Sequence, residues 1–191
     1  MSKGTSYKRE QIINAAFELT REQGWSAVSA RNIAKKMGSS TMPIYSHVNS
    51  VDDVQEELRI RARALLKTYQ KRPYTEHVLT NMAFGYVLFA RDEKNLFRFL
   101  YQESPDKLDI ETLHSVTGSL LEEYVEDEAV QQALEKYDTS GKYSSLQYNW
   151  IFIHGLATLM NAGAFSTYSE SEILIMIMDA GAAFFLNNVN R

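Results

Sequence analysis

Apolar residues recur at helical spacing along nearly the whole chain, and no run alternates apolar with polar residues between hairpin turns as a half-buried strand would. After a first helix within IINAAFELTREQG, the spacing predicts a long helix over 51–71, ending before Pro73, with Val54, Leu58, Ala62, Leu65, Leu66 and Tyr69 on one face. Two more follow, over 75–91 with Val78, Leu79, Met82, Tyr86 and Phe89, and over 93–102 with Leu96, Phe97, Phe99 and Leu100. A further helical region is expected from Pro105 to about Tyr137, and DTSGKYSS is the most loop-like tract of the body. Two helices close the chain. Ser144-x-x-Gln147 opens one running to about Gly163, and Ser169-x-x-Glu172 one running to about Asn188, both with capping-box spacing. Gly and Pro, nine and three residues, are too few to break these elements, so the expected class is all-α.

The stretch from Ser29 to Val54 carries the densest local information. SARNIAKKMG, SSTMPIYSHVNS and VDDV read as two short helices joined by a tight turn and followed by the start of a third. Ile33, Ala34 and Met37 supply the apolar side, Gly38 sits where a helix end wants a positive φ, and Ser40 can cap the next helix. In such a helix-turn-helix the second helix presents its N-terminal residues to base edges in the major groove. Thr41, Met42, Pro43, Tyr45, Ser46 and His47 form that groove-facing set, with Arg31 and Ser40 as flanking contacts. Met42 and Pro43 are limited there to apolar contact, since neither can make a bidentate hydrogen bond. Pro43 falls in the first turn, where a missing N–H costs little.

Charge changes the picture from a helical hairpin to a candidate polyanion reader. Residues 1–50 hold seven basic and three acidic residues, whereas residues 51–191 hold 13 basic and 21 acidic, so a head at +4 precedes a body at −8. Phosphate neutralisation dominates DNA affinity, and a basic segment on an acidic protein marks where duplex DNA docks. The absence of cysteine removes disulfides and thiolate catalysis, and MSKGTSYKREQ has no apolar run of the secretory kind, so a cytoplasmic protein is expected.

These parts, in this order, resemble the DNA-binding domain of TetR-family bacterial regulators: IINAAFELTREQG, then VSARNIAKKMG, the SS turn and IYSHV. The resemblance covers residues 9–54 and implies a three-helix head over 1–50 on a ligand-binding and dimerisation body over 51–191. It also implies phosphate contacts for Tyr45 and His47. Many members carry Lys at the start of the connecting helix, where this chain has Val51, with Asn49 and Ser50 left to offer hydrogen bonds. Trp150-Ile-Phe-Ile-His154-Gly155 is similar to the Trp-x-x-x-His-Gly pattern of one branch of that family. Members usually bind a small effector, so the expected function is a repressor released from its operator by that effector, with an activator as the other possible sign.

From Tyr143 to Ser169 there is no Asp, Glu, Lys or Arg, but Gln147, Asn149, His154, Thr158 and Asn161 interrupt the run, so the expectation is a helix buried by protein and not a membrane span. Ile173 to Met178 are consecutively apolar, and Gly181, Ala182 and Ala183 permit close helix approach. A homodimer through a four-helix bundle of the last two helices is expected, with Ile173, Ile177, Ala182 and Phe185 at its interface. The four histidines form no His-x-x-x-His pair, Glu111-x-x-His114 is a single Glu-x-x-His, and Glu122, Glu123, Glu126, Asp127 and Glu128 read as a solvated helix end. No Gly-rich phosphate loop or nucleophile elbow occurs, so neither an enzyme nor a metal or cofactor is expected.

The body's stripe of Met82, Tyr86, Phe89, Phe97, Tyr101, Trp150 and His154 combines apolar bulk with single hydrogen-bonding atoms. Small-ligand pockets are lined that way, and the shortage of basic residues favours an apolar or aromatic effector. The alternative is a dimeric helical sensor or interaction protein without specific DNA recognition.

Overall fold

The computed structural model describes residues 8–48, 51–103, 128, 131 and 145–186, with the backbone alone at 51, 52, 145–147, 185 and 186. Apart from Glu128 and Gln131, which are helical and exposed, and Ser145, which opens a helix, the expected helix to Tyr137, the acidic cluster and the DTSGKYSS tract lie outside the described residues, as do Glu111, His114, Asn49, Ser50, the Ser144 cap and the side chain of Phe185. All regular structure among the described residues is helical: α1 (Arg9–Gln23), a 3-10 turn (Trp25–Ala27), α2 (Ala30–Met37), α3 (Met42–His47), α4 (Val51–Gln70), α5 (Val78–Asp92), α6 (Lys94–Tyr101), α7 (Ser145–Asn161) and α8 (Glu170–Leu186). The all-α expectation holds.

The chain divides into two compact units, Met1–Leu65 with Glu93–Pro105, and Leu66–Asp92 with Asp106–Arg191. The unit that contains the head therefore runs past residue 50 and takes in most of α4 and all of α6. Its core is built from Ile12, Ile13, Ala16 and Leu19 of α1, Ile33 and Ala34 of α2, Ile44 of α3, Val54 and Leu58 of α4, and Phe99 of α6. Trp25 packs on Phe99 with ring centroids 5.3 Å apart, and the Arg59 guanidinium lies 5.8 Å from the same ring centroid, within cation–π reach. Arg21 grips the buried Glu93 carboxylate with Nε at 2.7 Å and a second nitrogen at 2.5 Å, and Asn95 donates to the Arg21 carbonyl. These bonds seat the start of α6 against the end of α1. Arg61 of α4 donates to Glu10 and Asn14 of α1 and to Glu57 one turn before it, and Arg9 pairs with Glu57.

In the second unit α5 packs against α7 and α8. Asn161 Nδ2 donates to the Ala90 carbonyl at 2.9 Å, so the polar end of α7 is satisfied within the core. Gly85 lets α5 meet the end of α4 at backbone distance, since a Cβ built there would stand 2.3 Å from the Tyr69 carbonyl oxygen. Tyr69 in turn meets Phe89 edge-on at 5.6 Å. The apolar face expected of α4 is present: Val54, Leu58, Ala62, Leu66 and Tyr69 are buried, and Leu65 is half-buried.

Local chemistry moves two helix starts. α5 begins at Val78 and not at 75, because the Thr75 hydroxyl accepts from the His77 N–H at 3.0 Å and Asn81 bonds back to Thr75, holding 75–77 in a turn. α3 begins at Met42 with Thr41 at its N-cap and no side-chain cap bond, so Ser40 does not cap it. α8 starts as expected: Ser169 and Glu172 exchange hydrogen bonds at 2.8 and 3.3 Å. The Ser169 hydroxyl, which donates to Glu172, holds that carboxyl below its usual range.

Candidate nucleic-acid interface

Two glycines and a serine cap shape the head's outer corner. Gly24 ends α1 with φ 88°, its N–H bonded to the Thr20 carbonyl at 2.9 Å. Ser29 opens α2 by accepting from the Asn32 N–H at 3.2 Å. Gly38 closes α2 at φ 64°, ψ 33°, the left-handed geometry expected of it. The Ser39 N–H reaches the Ala34 carbonyl at 2.9 Å and the Gly38 N–H the Lys35 carbonyl at 3.2 Å, the bond pair of a Schellman motif. That motif fixes where the chain leaves α2, and Ile44, 3% exposed, fixes the rotation of α3 by plugging into the core.

With Ile44 inside, the rest of α3 faces outward. Met42 is 76% and Tyr45 73% exposed; Ser46 and His47 are exposed, and Thr41 and Pro43 are half-buried. Ser40 is exposed on the turn. Ser46 spends its hydroxyl on the Met42 carbonyl at 3.0 Å. Arg31 and Lys35 on α2 are exposed and form no ion pair among the described residues, whereas Lys36 is held by Glu22 at 2.8 Å. A short helix with a protruding outer face beside unpaired cations can enter a groove while the cations meet phosphate.

No family model matches the chain. Over 111 residues, 56% of this chain and 58% of the relative, it is 25% identical to the HTH-type transcriptional regulator YobS of Bacillus subtilis. Over 53 residues, 28% of this chain and 24% of the relative, it is 30% identical to the HTH-type transcriptional regulator Rv0681 of Mycobacterium tuberculosis. Its similarity is to proteins named as HTH-type transcriptional regulators. The match spans little more than half of the first relative's length and about a quarter of the second's.

The seven residues expected to line an effector pocket fall in different units. Phe97 and Tyr101, 5.1 Å apart, belong to the unit of the head. Met82, Tyr86, Phe89, Trp150 and His154 belong to the second unit, and there α5 and α7 bring three together. The Tyr86 hydroxyl and His154 Nδ1 are 2.8 Å apart, and Trp150 stacks on the His154 ring at 4.9 Å and 8°. Burial holds the His154 imidazole below its usual pKa. Phe89 is fully buried against Tyr69 and serves the core.

That imidazole gives stability a pH dependence with a definite sign. A group whose folded pKa is depressed binds its proton first in the unfolded chain, near the ordinary histidine value of about 6.5. Its contribution is complete above that pH and declines as pH falls towards the folded pKa. Thermal unfolding between pH 7.5 and 5.5 is expected to show a shallower loss of Tm on acidification in His154→Gln than in wild type. Parallel slopes would mean that His154 is solvated.

On α8, Ile173 and Ile177 are buried within their own chain, four residues apart on one side, while Ala182 is exposed. The opposite side is apolar too: Ile175 and Met178 stand exposed one turn apart. On α7, Tyr148, Ile151, Gly155 and Leu159 are exposed at spacings of three and four, a continuous apolar stripe. Sequence reasoning missed this partition because consecutive apolar residues give no phase to a helix. It also missed the seating of α6 in the head, since the Arg21–Glu93 pair joins residues 72 apart.

Among the described residues no helix is long and apolar enough to cross a membrane, and no group of three or more His, Asp or Glu is placed to hold a metal ion.

Proposed function

We infer that the protein is a DNA-binding transcriptional regulator of the TetR kind, acting in the cytoplasm as a homodimer on a palindromic operator and released from it by a small, largely apolar effector. The observation that carries this reading is α3: a helix held by Ile44 and the Gly38 turn with Met42, Tyr45, Ser46 and His47 all outward. The basic balance of residues 1–50 and the names of the two relatives support it. Tyr45 and His47 position the head on phosphates, and Thr41, Met42 and Pro43 meet base edges.

The exposed stripes of α7 and α8 support the dimer. Ile151, Leu159, Ile175 and Met178 would be covered in a four-helix bundle of two copies, and Gly155, with open space where a Cβ would project, allows close approach. In each copy the hydrogen-bonded Tyr86–His154 pair and the stacked Trp150 form the polar and aromatic surface against which an effector would sit. Ligand that favours a different spacing of the heads would act through α4, whose N-terminal part lies in the unit of the head.

Selection from a random duplex library tests the reading. The expected product is an inverted repeat with half-sites roughly 34–36 Å apart. Tyr45→Phe should weaken binding to every sequence by about fivefold, one ordinary hydrogen bond. Ile151→Asp with Ile175→Asp should give a monomer by light scattering that no longer protects both half-sites. Enrichment of no palindrome, or a wild-type protein monomeric at micromolar concentration, would end this reading.

A further inference from the structure

The outer face of α3 is poor in hydrogen-bonding groups around its strongly exposed first residue. Met42 offers only a thioether, Pro43 has no N–H, and the Ser46 hydroxyl donates to the Met42 carbonyl at 3.0 Å. Met42 itself is 76% exposed in the folded chain, with Tyr45 one turn along the same side of the helix. The side chains that recognise guanine or adenine by paired hydrogen bonds, Arg, Lys, Asn and Gln, are absent from 39–48. Arg31 and Lys35, exposed and without ion pairs among the described residues, supply the attraction to a polyanion and leave Met42 free to meet what lies between the phosphates.

In the major groove the edges of the bases are polar except at one feature, the C5-methyl group of thymine. We propose that Met42 reads a thymine methyl group, making operator recognition methyl-dependent at one base pair of each half-site. This rests on the reading of the head as a reader of duplex DNA. The contact excludes water from a methyl group and from the end of the Met side chain, so it discriminates by apolar burial and not by hydrogen bonding. A cytosine carrying a 5-methyl group presents the same apolar feature and should be partly accepted in place of thymine, whereas unmodified cytosine should not.

The test uses the full-length protein and the duplex enriched from the random library. Each thymine of a half-site is replaced in turn by deoxyuridine, which removes the methyl group and keeps the base pair and its hydrogen-bonding pattern. At one position per half-site the wild type should lose about fourfold in affinity, the burial of one methyl group. Met42→Ala should bind the two duplexes equally, and Met42→Leu should keep the sensitivity. At that position 5-methyldeoxycytidine should bind more tightly than deoxycytidine. Because Met42 is exposed, both variants should melt with the wild type, which keeps folding out of the comparison. An enriched operator whose deoxyuridine substitutions cost wild type and Met42→Ala the same at every position overturns the proposal while leaving specific DNA binding intact. Failure to enrich any operator overturns the DNA reading itself, and this proposal with it.

Discussion

Gly85→Ala is expected to lower the melting temperature by about 6–12 °C, a loss of about 3 kcal/mol at the few degrees per kcal/mol usual for a chain of this size. Helix propensity alone argues the opposite, since alanine is better than glycine inside a helix by about 1 kcal/mol. Packing decides the sign. The new Cβ would lie 2.3 Å from the Tyr69 carbonyl oxygen, 2.6 Å from its carbon and 2.7 Å from the Gln70 Cα, all backbone atoms that no rotamer change can remove. The end of α4 and the middle of α5 would have to separate, opening the contact between Tyr69 and Phe89. Calorimetry on the variant checks this, and an unchanged or raised Tm would show that the two backbones are not in contact.

Phe99→Ala should cost about 3–5 kcal/mol, the range for deleting a buried aromatic ring. Phe99 is fully buried, carries Trp25 on its face and has the Arg59 guanidinium within cation–π reach. The damage should be local to the unit of the head. Hydrogen exchange should accelerate in α1 and α2, whose Ile13, Ala16 and Ile33 share the Phe99 core, while α7 and α8 keep their protection. In the proposed role, affinity for DNA should weaken although Phe99 is far along the chain from α3. Faster exchange in α7 and α8 alone would show that α6 serves the other unit.

What could be read from the sequence was set by distance along the chain. Gly38 and the Ser169–Glu172 box act over three to five residues, and both occur as their residue types imply. The buried face of α4 follows from a 3.6-residue period and nothing else. Thr75 failed as a helix start because its hydroxyl bonds an amide two residues away, a choice between two local structures that the residue type leaves open. The position of Phe99 in the head, and of Phe97 and Tyr101 with it, depends on partners some 70 residues earlier and has no local signature. The phase of α8 was invisible for a different reason: six apolar residues in a row suit burial on any side, and only the neighbours make Ile173 and Ile177 inner and Ile175 and Met178 outer. The outward placing of Met42, Tyr45, Ser46 and His47 was legible, because a six-residue helix with one core residue has little choice about the others, while Thr41 and Pro43 are half-buried.

The Gly38 turn also separates two kinds of selection. The Schellman bonds use only backbone atoms of α2 and of residues 38 and 39, and α3 contributes Ile44 to the core. Positions 42, 45 and 46 therefore carry little of the folding energy, and in the proposed DNA-reading role substitution at 42 would change the preferred operator and substitution at 45 the overall affinity, neither moving the protein towards unfolding. On that reading a lineage, or a laboratory library randomised at those three codons, would drift across target sequences while the rest of the head stays under purifying pressure.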